Sequence, residues 1–446
     1  MSNYWEVIMR KETKDFIVVG AALFAMFFGA GNLIFPPALG MLSGDQWLLC
    51  ILGFALTGVG LPILGVVTIA KVGGSLKDFA GRVSPTFAKI LGAVIVLAIG
   101  PLLAIPRTGA TVFEIGVSPL FPTIPPLAVS IVYFAITLFF VIKPSSIIDK
   151  IGKILTPILL LIVGIIIFQG VTSPIGAPVP TGITLAFSDG FVGGYQTMDA
   201  LASVVLGGLI LFSLKDKGYT DQKSLVKLTA KAGILAGSAL LFVYGGLLYL
   251  GATGSGVLAA GLSKTELIIA LTSNLLGIYG QIALCLAVSV ACLTTSVGLT
   301  AVVGNFFEEL SNGKLSYRTI VIATTLFSIV MSVIGVEQIV KLSVPLLVLV
   351  YPVTIILIAL NLFGQHIKSN GVFKGMVAGA LFISIFDALG AMSINIEAAT
   401  TVIAQLPFAS SGFAWICPSL LCGFVGHLVS KVLKSNDGTL ENIPQG

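Results

Sequence analysis

Three short stretches of this 446-residue sequence carry polar chemistry inside apolar surroundings. The first is Phe27-Phe28-Gly29-Ala30-Gly31-Asn32-Leu33-Ile34-Phe35-Pro36-Pro37. It cannot sustain regular helical hydrogen bonds, because glycine is costly in a helix and proline lacks a donor. A helix unwound near Gly29 frees carbonyls around Ala25 and Phe28, which suit a small cation. The half beginning near Asn32 offers free N–H groups and the positive end of its dipole, which suit a carboxylate. A packing notch with a proline kink explains some of these residues, but four breakers in nine residues exceed what packing requires.

The second stretch runs from Ser188 through Asp189, Gly190, Gly193, Gly194, Gln196, Thr197 and Asp199 to Ser203. Asp199 is the acidic residue set most deeply in an apolar segment, and such a carboxylate is a functional candidate by default. With Thr197 beside it, Asp199 is a candidate receptor for a substrate ammonium. The alternative is a structural Asp satisfied by its own surroundings. The third stretch, Ala291-Cys292-Leu293-Thr294-Thr295-Ser296, offers adjacent hydroxyls as hard ligands for an alkali cation. Hydroxyls that back-bond to their own helix are the competing explanation.

Other ionisable groups are less informative. Arg107 follows Gly100-Pro101 and Pro106 and precedes Thr108-Gly109, which suggests either an outer gate, paired with Glu114, or an arginine snorkelling to the interface. Asp387 reads as structural. Asp189 and Glu337 fall at expected helix starts, where capping accounts for them.

These groups must be positioned by membrane helices. At 56% hydrophobic, 10% charged and a mean hydropathy of +1.07 the chain lies outside the range of soluble domains, which excludes a soluble enzyme. Spans of about 20 residues divide it into roughly twelve: 16–43, 47–70, 87–106, 125–142, 151–170, 189–213, 225–252, 278–307, 317–335, 338–361, 373–394 and 412–433. The first apolar segment, from Asp15, is too long for a secretory leader and is kept as a span. With the N-terminus cytoplasmic, all of the 24 Lys and Arg fall on the cytoplasmic side except Arg107, Lys264 and Lys341. Both termini are therefore expected in the cytoplasm. The net charge of +5 marks topology, and no nucleic-acid partner is expected. Five scattered cysteines and two histidines have no metal-site or disulfide spacing, so no cofactor is expected.

The first and sixth spans are both interrupted, so they correspond under a five-span repeat. An odd number of spans inserts the second copy upside down, the design in which broken helices hold substrate and coupling ion near the midplane. The expected fold is an all-α polytopic membrane protein. One membrane domain, 1–446, contains repeats 14–170 and 187–363 and two further helices within 371–434.

The motifs Phe28-Gly29-Ala30-Gly31-Asn32-Leu33-Ile34-Phe35-Pro36-Pro37 and Pro101-Leu102-Leu103-Ala104-Ile105-Pro106-Arg107-Thr108-Gly109-Ala110 resemble those of the BrnQ-type branched-chain amino acid:cation symporters, over essentially the whole chain. That resemblance implies a multi-pass carrier of the bacterial inner membrane with a LeuT-like fold. It also implies leucine, isoleucine and valine as substrates and Na+, or in some members H+, as coupling ion. Gly29-Ala30-Gly31-Asn32 is similar, more distantly, to the glycine-rich break of sodium-coupled neurotransmitter-type transporters, and Ala291, Thr294 and Thr295 match the spacing of their sodium site. The match implies carbonyl ligands from Ala25, Phe28 and Ala291 and hydroxyl ligands from Thr294 and Thr295. The arginine that family carries before Phe-Pro is missing here, since Leu33-Ile34-Phe35-Pro36 has no charge, so its outer-gate ion pair does not transfer.

The expected substrate site comprises Gly29, Ala30, Gly31, Asn32, Thr197 and Asp199, with Phe24, Phe27 and Phe28 as apolar walls. Proton coupling through Asp199 is the nearest alternative, and a membrane amino acid sensor is a distant one, since no signalling domain is evident. A channel would need a symmetric filter or charged ring. No obligate protein partner is implied.

Overall fold

A computed structural model of the protein describes residues 2–142, 156–394 and 396–440. The start of the fifth span, 151–155, the lysines at 143, 150 and 153, and the end of the tail, 441–446, lie outside the described residues. No strand occurs among the described residues.

The chain begins with α1 (Ser2–Phe27) and, after Phe28 and Gly29, α2 (Ala30–Ser43). α3 (Trp47–Ala55) continues through a π-helical turn, Leu56–Gly60, into α4 (Leu61–Val72). The short α5 (Leu76–Ala80) precedes α6 (Pro85–Leu97), which passes through a π turn, Ala98–Leu102, into α7 (Ala104–Thr111) and a second π turn, Val112–Val117. α8 (Pro126–Val141) and α9 (Thr156–Thr172) follow. Next come α10 (Ala186–Tyr195), α11 (Asp199–Asp216), α12 (Gln222–Gly254) and α13 (Lys264–Leu310). α14 (Tyr317–Ser332), α15 (Val336–Leu362), α16 (Asn370–Ala391), α17 (Glu397–Ala404) and α18 (Ile416–Leu440) complete the chain.

Six helical stretches are long and apolar enough to cross a membrane, seven with the bent pair α10–α11, and four shorter apolar helices accompany them. Large apolar side chains such as Phe139 (76% exposed) and Phe168 (69%) point outward, as lipid-facing residues do, so this is a multi-pass membrane protein. Polar helix starts sit in the connections, where Ser84 and Asp221 accept hydrogen bonds from the backbone N–H of Phe87 and Ser224.

Four local expectations are corrected. The third span does not stop at residue 106 but runs Pro85–Val117, because the Gly100-Pro101 pair is absorbed by a π turn with Gly100 at φ −97°, ψ −127°. Arg107 and Glu114 are therefore inside a helix. Pro36 and Pro37 do not interrupt α2, since the carbonyls they leave unpaired fall in its first turn beside an already open break. Asp189 lies in the first turn of α10, as expected of a helix start, but does not cap it, since Leu185 is at the N-cap. The eighth span begins where expected, but a helical arm precedes it across Gly277, whose φ of +57° is glycine territory.

Small residues set the closest crossings. α2 packs on α12, α3 on α10, and α4 on α11. A Cβ on Gly53 would collide with the Phe187 carbonyl, one on Gly190 with that of Cys50, and one on Gly251 with that of Pro37. Backbones this close leave no room for a side chain. Gly190→Val is expected to lower the melting temperature of the detergent-purified protein by several degrees, since overpacking costs about 1–3 kcal/mol. An unchanged melting curve would contradict the contact between α3 and α10.

Candidate functional site

Both helix interruptions open onto one narrow cavity. Between α1 and α2, the Gly29 N–H donates to Asn32 Oδ1 at 3.0 Å, so Asn32 caps its own helix and turns its amide nitrogen inward. Between α10 and α11, Gln196, Thr197 and Met198 form the break, the two helices are bent by 43°, and Met198 adopts left-handed φ of 63°. A non-glycine residue in that region is strained and marks a constrained site.

Asp199 opens α11 and is 3% exposed. Asn32 Nδ2 donates to its Oδ2 at 2.6 Å, and the Tyr244 hydroxyl of α12 donates to the same oxygen at 3.1 Å. Asn32 also contacts Tyr244 directly. The Asp199 N–H reaches Thr197 Oγ1 at 3.3 Å. Two neutral donors thus fix one carboxylate oxygen, Oδ2.

Arg107, 2% exposed on α7, lines the same cavity. Its Nη1 donates to the Gln196 carbonyl at 2.8 Å, its Nε has no partner, and its guanidinium lies 5.5 Å from the Phe35 ring centroid. A Cβ at Gly31 would stand 2.7 Å from Arg107 Nη2, so the glycine is what lets the guanidinium approach the α2 N-terminus. Arg107 forms no ion pair with Asp199. Nor does it pair with Glu114, whose Oε1 accepts the Val336 N–H at 2.8 Å and caps α15, which corrects the expected gate pair.

On the other side of the α1–α2 break, Thr294 Oγ1 lies 2.9 Å from the carbonyl oxygens of both Ala25 and Ala291. Thr295 Oγ1 lies 3.2 Å from the Met26 carbonyl, rather than against Phe28. A Cβ on Gly29 would come within 2.8 Å of Thr295 Oγ1. The cavity walls include Gly29, Ala30, Gly31, Thr197 and Thr295, with Met26, Phe27, Ile99, Ala104, Ala202 and Leu299 as apolar surface.

Phe24 and Phe28 are not on that surface. They stack on each other at 5.3 Å, with Phe28 against Tyr244 at 6.3 Å, because positions four apart share a helix face and this face is turned to α12. Phe27, on the other face, reaches the cavity. Tyr244 was not anticipated, and Gln196 was named only as part of the second polar stretch. Tyr244 is one of two tyrosines, with Tyr249, in the span at 225–252, and the Gln196 contact to Arg107 runs through a backbone carbonyl that no side chain announces.

Helices broken at membrane depth around a buried polar cavity, with backbone and side-chain groups for both signs of charge, define a transport protein rather than an enzyme. The sequence pattern described as branched-chain amino acid transport protein matches residues 12–433, and the chain belongs to that family. The branched-chain amino acid permease BraB of Bacillus subtilis is 38% identical over 428 residues, 94% of this chain and 96% of the relative. The permease BrnQ of Escherichia coli K12 is 34% identical over 417 residues, covering 92% and 94%. Among solved structures, MhsT in complex with L-phenylalanine superposes with a TM-score of 0.56 at 16% identity, over 93% of this chain and 98% of that one. Mhp1, a nucleobase-cation-symport-1 family transporter, gives 0.59 at 13% identity over 93% and 92%. These two share the LeuT-like fold.

Proposed function

We propose that this chain imports leucine, isoleucine and valine across the bacterial inner membrane by sodium symport and alternating access. The observation that carries the reading is a pair of buried opposite charges, Arg107 and Asp199, facing one cavity without pairing to each other. Leaving both charges unpaired in the membrane is costly. A zwitterion relieves both. Its ammonium meets Asp199 Oδ1, and its carboxylate meets Arg107 and the free N–H groups of Ala30 and Gly31 at the α2 N-terminus. Its side chain packs on Ile99, Ala104, Ala202 and Leu299. This arrangement, with the names of the relatives, supports branched aliphatic amino acids as substrates.

Sodium is carried as co-substrate by the oxygens of Ala25, Ala291, Thr294 and Thr295, joined by Met26 or, as the resemblance implies, Phe28. The threonine hydroxyls already meet those carbonyls within 3.2 Å, so rotation of two hydroxyl protons presents a hard-oxygen cluster. Twelve spans, with residues 14–170 and 187–363 as inverted repeats and both termini cytoplasmic, complete the proposal.

The test is labelled leucine uptake into proteoliposomes of the purified chain under equal inward gradients of sodium or potassium, with and without a pH gradient. Accumulation with sodium alone supports the reading. Accumulation driven only by protons moves the coupling role to Asp199, and none under any gradient sinks it. Selectivity gives a second check. One methylene is worth about 1–3 kcal/mol in an apolar pocket, so valine remains a substrate while alanine is expected to inhibit leucine uptake at least ~100-fold more weakly. Alanine competing on equal terms would refute an aliphatic pocket.

A further inference from the structure

A second, larger cavity lies apart from the site just described. It is open at its mouth, encloses about 1110 Å³ including that mouth, and lies between α10, α15, α16 and the α17–α18 connection. Its walls include Val192 and Tyr195 of α10, Pro352 of α15, Phe386 and Asp387 of α16, and Trp415. A charged group in it has no protein partner. Asp387 is half-buried and makes no hydrogen bond or ion pair among the described residues, and no Lys, Arg or His lines the cavity. Tyr195 contributes to the wall, while its hydroxyl is buried away from the open cavity without a partner.

We propose that this cavity binds an amphipathic organic cation, an ammonium group on an aromatic or alkyl body that carries no carboxylate. A lone, half-buried carboxylate in a largely apolar cavity calls for a positive partner. Phe386 and Trp415 provide π faces that attract a cation and cover an apolar body. An amino acid zwitterion is disfavoured, since its carboxylate would meet no basic side chain. A bare metal ion is rejected as well, because a single carboxylate falls short of the six or more oxygens hard cations collect.

The position gives the occupant a consequence that rests on the transport reading. Tyr195 stacks on Tyr351 of α15 at 4.2 Å, and Phe191 of α10 meets Phe413 edge-on at 4.7 Å. A ligand wedged beside these contacts clamps α10, and with it the Gln196–Met198 break, against α15 and α16. It inhibits transport without displacing substrate.

The probe is 2-phenylethylamine, titrated calorimetrically into the full-length purified chain, with its neutral isostere 2-phenylethanol for comparison. Expected is saturable binding that saturating leucine does not displace, weakened at least tenfold by Asp387→Asn and at least tenfold for the alcohol. Asp387→Asn keeps wild-type leucine binding. Ala404→Trp, at a residue of α17 that lines the cavity, fills it and leaves the carboxylate; it is expected to abolish amine binding too, and decides the matter should Asp387→Asn fail to fold. Absence of saturable binding, equal affinity in the variants, or competition by leucine overturns the proposal. Amine binding by a chain that binds no leucine would leave this site standing and sink the transport reading instead.

Discussion

Asp199→Asn is expected to abolish accumulation of leucine while leaving the protein folded. The substitution keeps the shape of the side chain and an oxygen that accepts from Asn32 and Tyr244, and it removes only the charge. Truncating one member of a buried, hydrogen-bonded charge pair costs about 2–5 kcal/mol, which corresponds to a loss in apparent affinity of roughly 30-fold to several thousand-fold. Leucine binding to the purified variant, with its melting temperature as control for folding, is the measurement. Wild-type affinity in Asp199→Asn would show that the ammonium does not use this carboxylate. The same experiment reports on coupling: a variant that exchanges leucine across the membrane yet no longer responds to a pH gradient would identify Asp199 as a proton carrier.

Thr294→Val is the second large effect. Valine nearly matches threonine in shape, so the packing of α13 against α1 is retained while one oxygen disappears between the Ala25 and Ala291 carbonyls. Taking a polar contact to a charged group as about 1.5–3 kcal/mol, the sodium concentration for half-maximal uptake is expected to rise ~10- to 150-fold. Thr294→Ser, which restores the hydroxyl, is expected to recover most of it. An unaltered sodium dependence in Thr294→Val would mean that this hydroxyl only ties α13 to α1.

The two breaks were legible because glycine, proline and short polar residues in an apolar stretch oppose helix formation locally, whatever the tertiary context. Asp199, Asn32 and the paired threonines stood out for the same reason: in a span, polar groups are few and must go somewhere. Arg107 was misjudged as an outward residue because Gly100-Pro101 looks like a helix end. A π turn reconciles that pair with continued helix, and nothing in the local sequence announces whether the chain stops or merely widens. The inward direction of Phe27 rather than Phe24 and Phe28 depends on which face of α1 meets α12, a tertiary choice. Tyr244 escaped for the same reason, since its role comes from a carboxylate 45 residues away along the chain. The lone Asp387 was visible as a charge, but the space around it is made by four separate elements.

The glycine crossings bear on motion as well as on packing. Where a carbonyl rests directly on another helix's α-carbon, as Pro37 does on Gly251, Phe187 on Gly53 and Cys50 on Gly190, there are no intervening side chains to re-seat. α2 is thereby welded to α12, and α3 to α10. Rotamer changes, which let side-chain-mediated contacts slide, have nothing to act on at these seams. Displacement must be taken up elsewhere, at joints such as the stacked rings of Tyr195 and Tyr351, where whole aromatic side chains separate α10 from α15. Each welded pair travels as one piece, so α2 moves with α12 and α10 with α3.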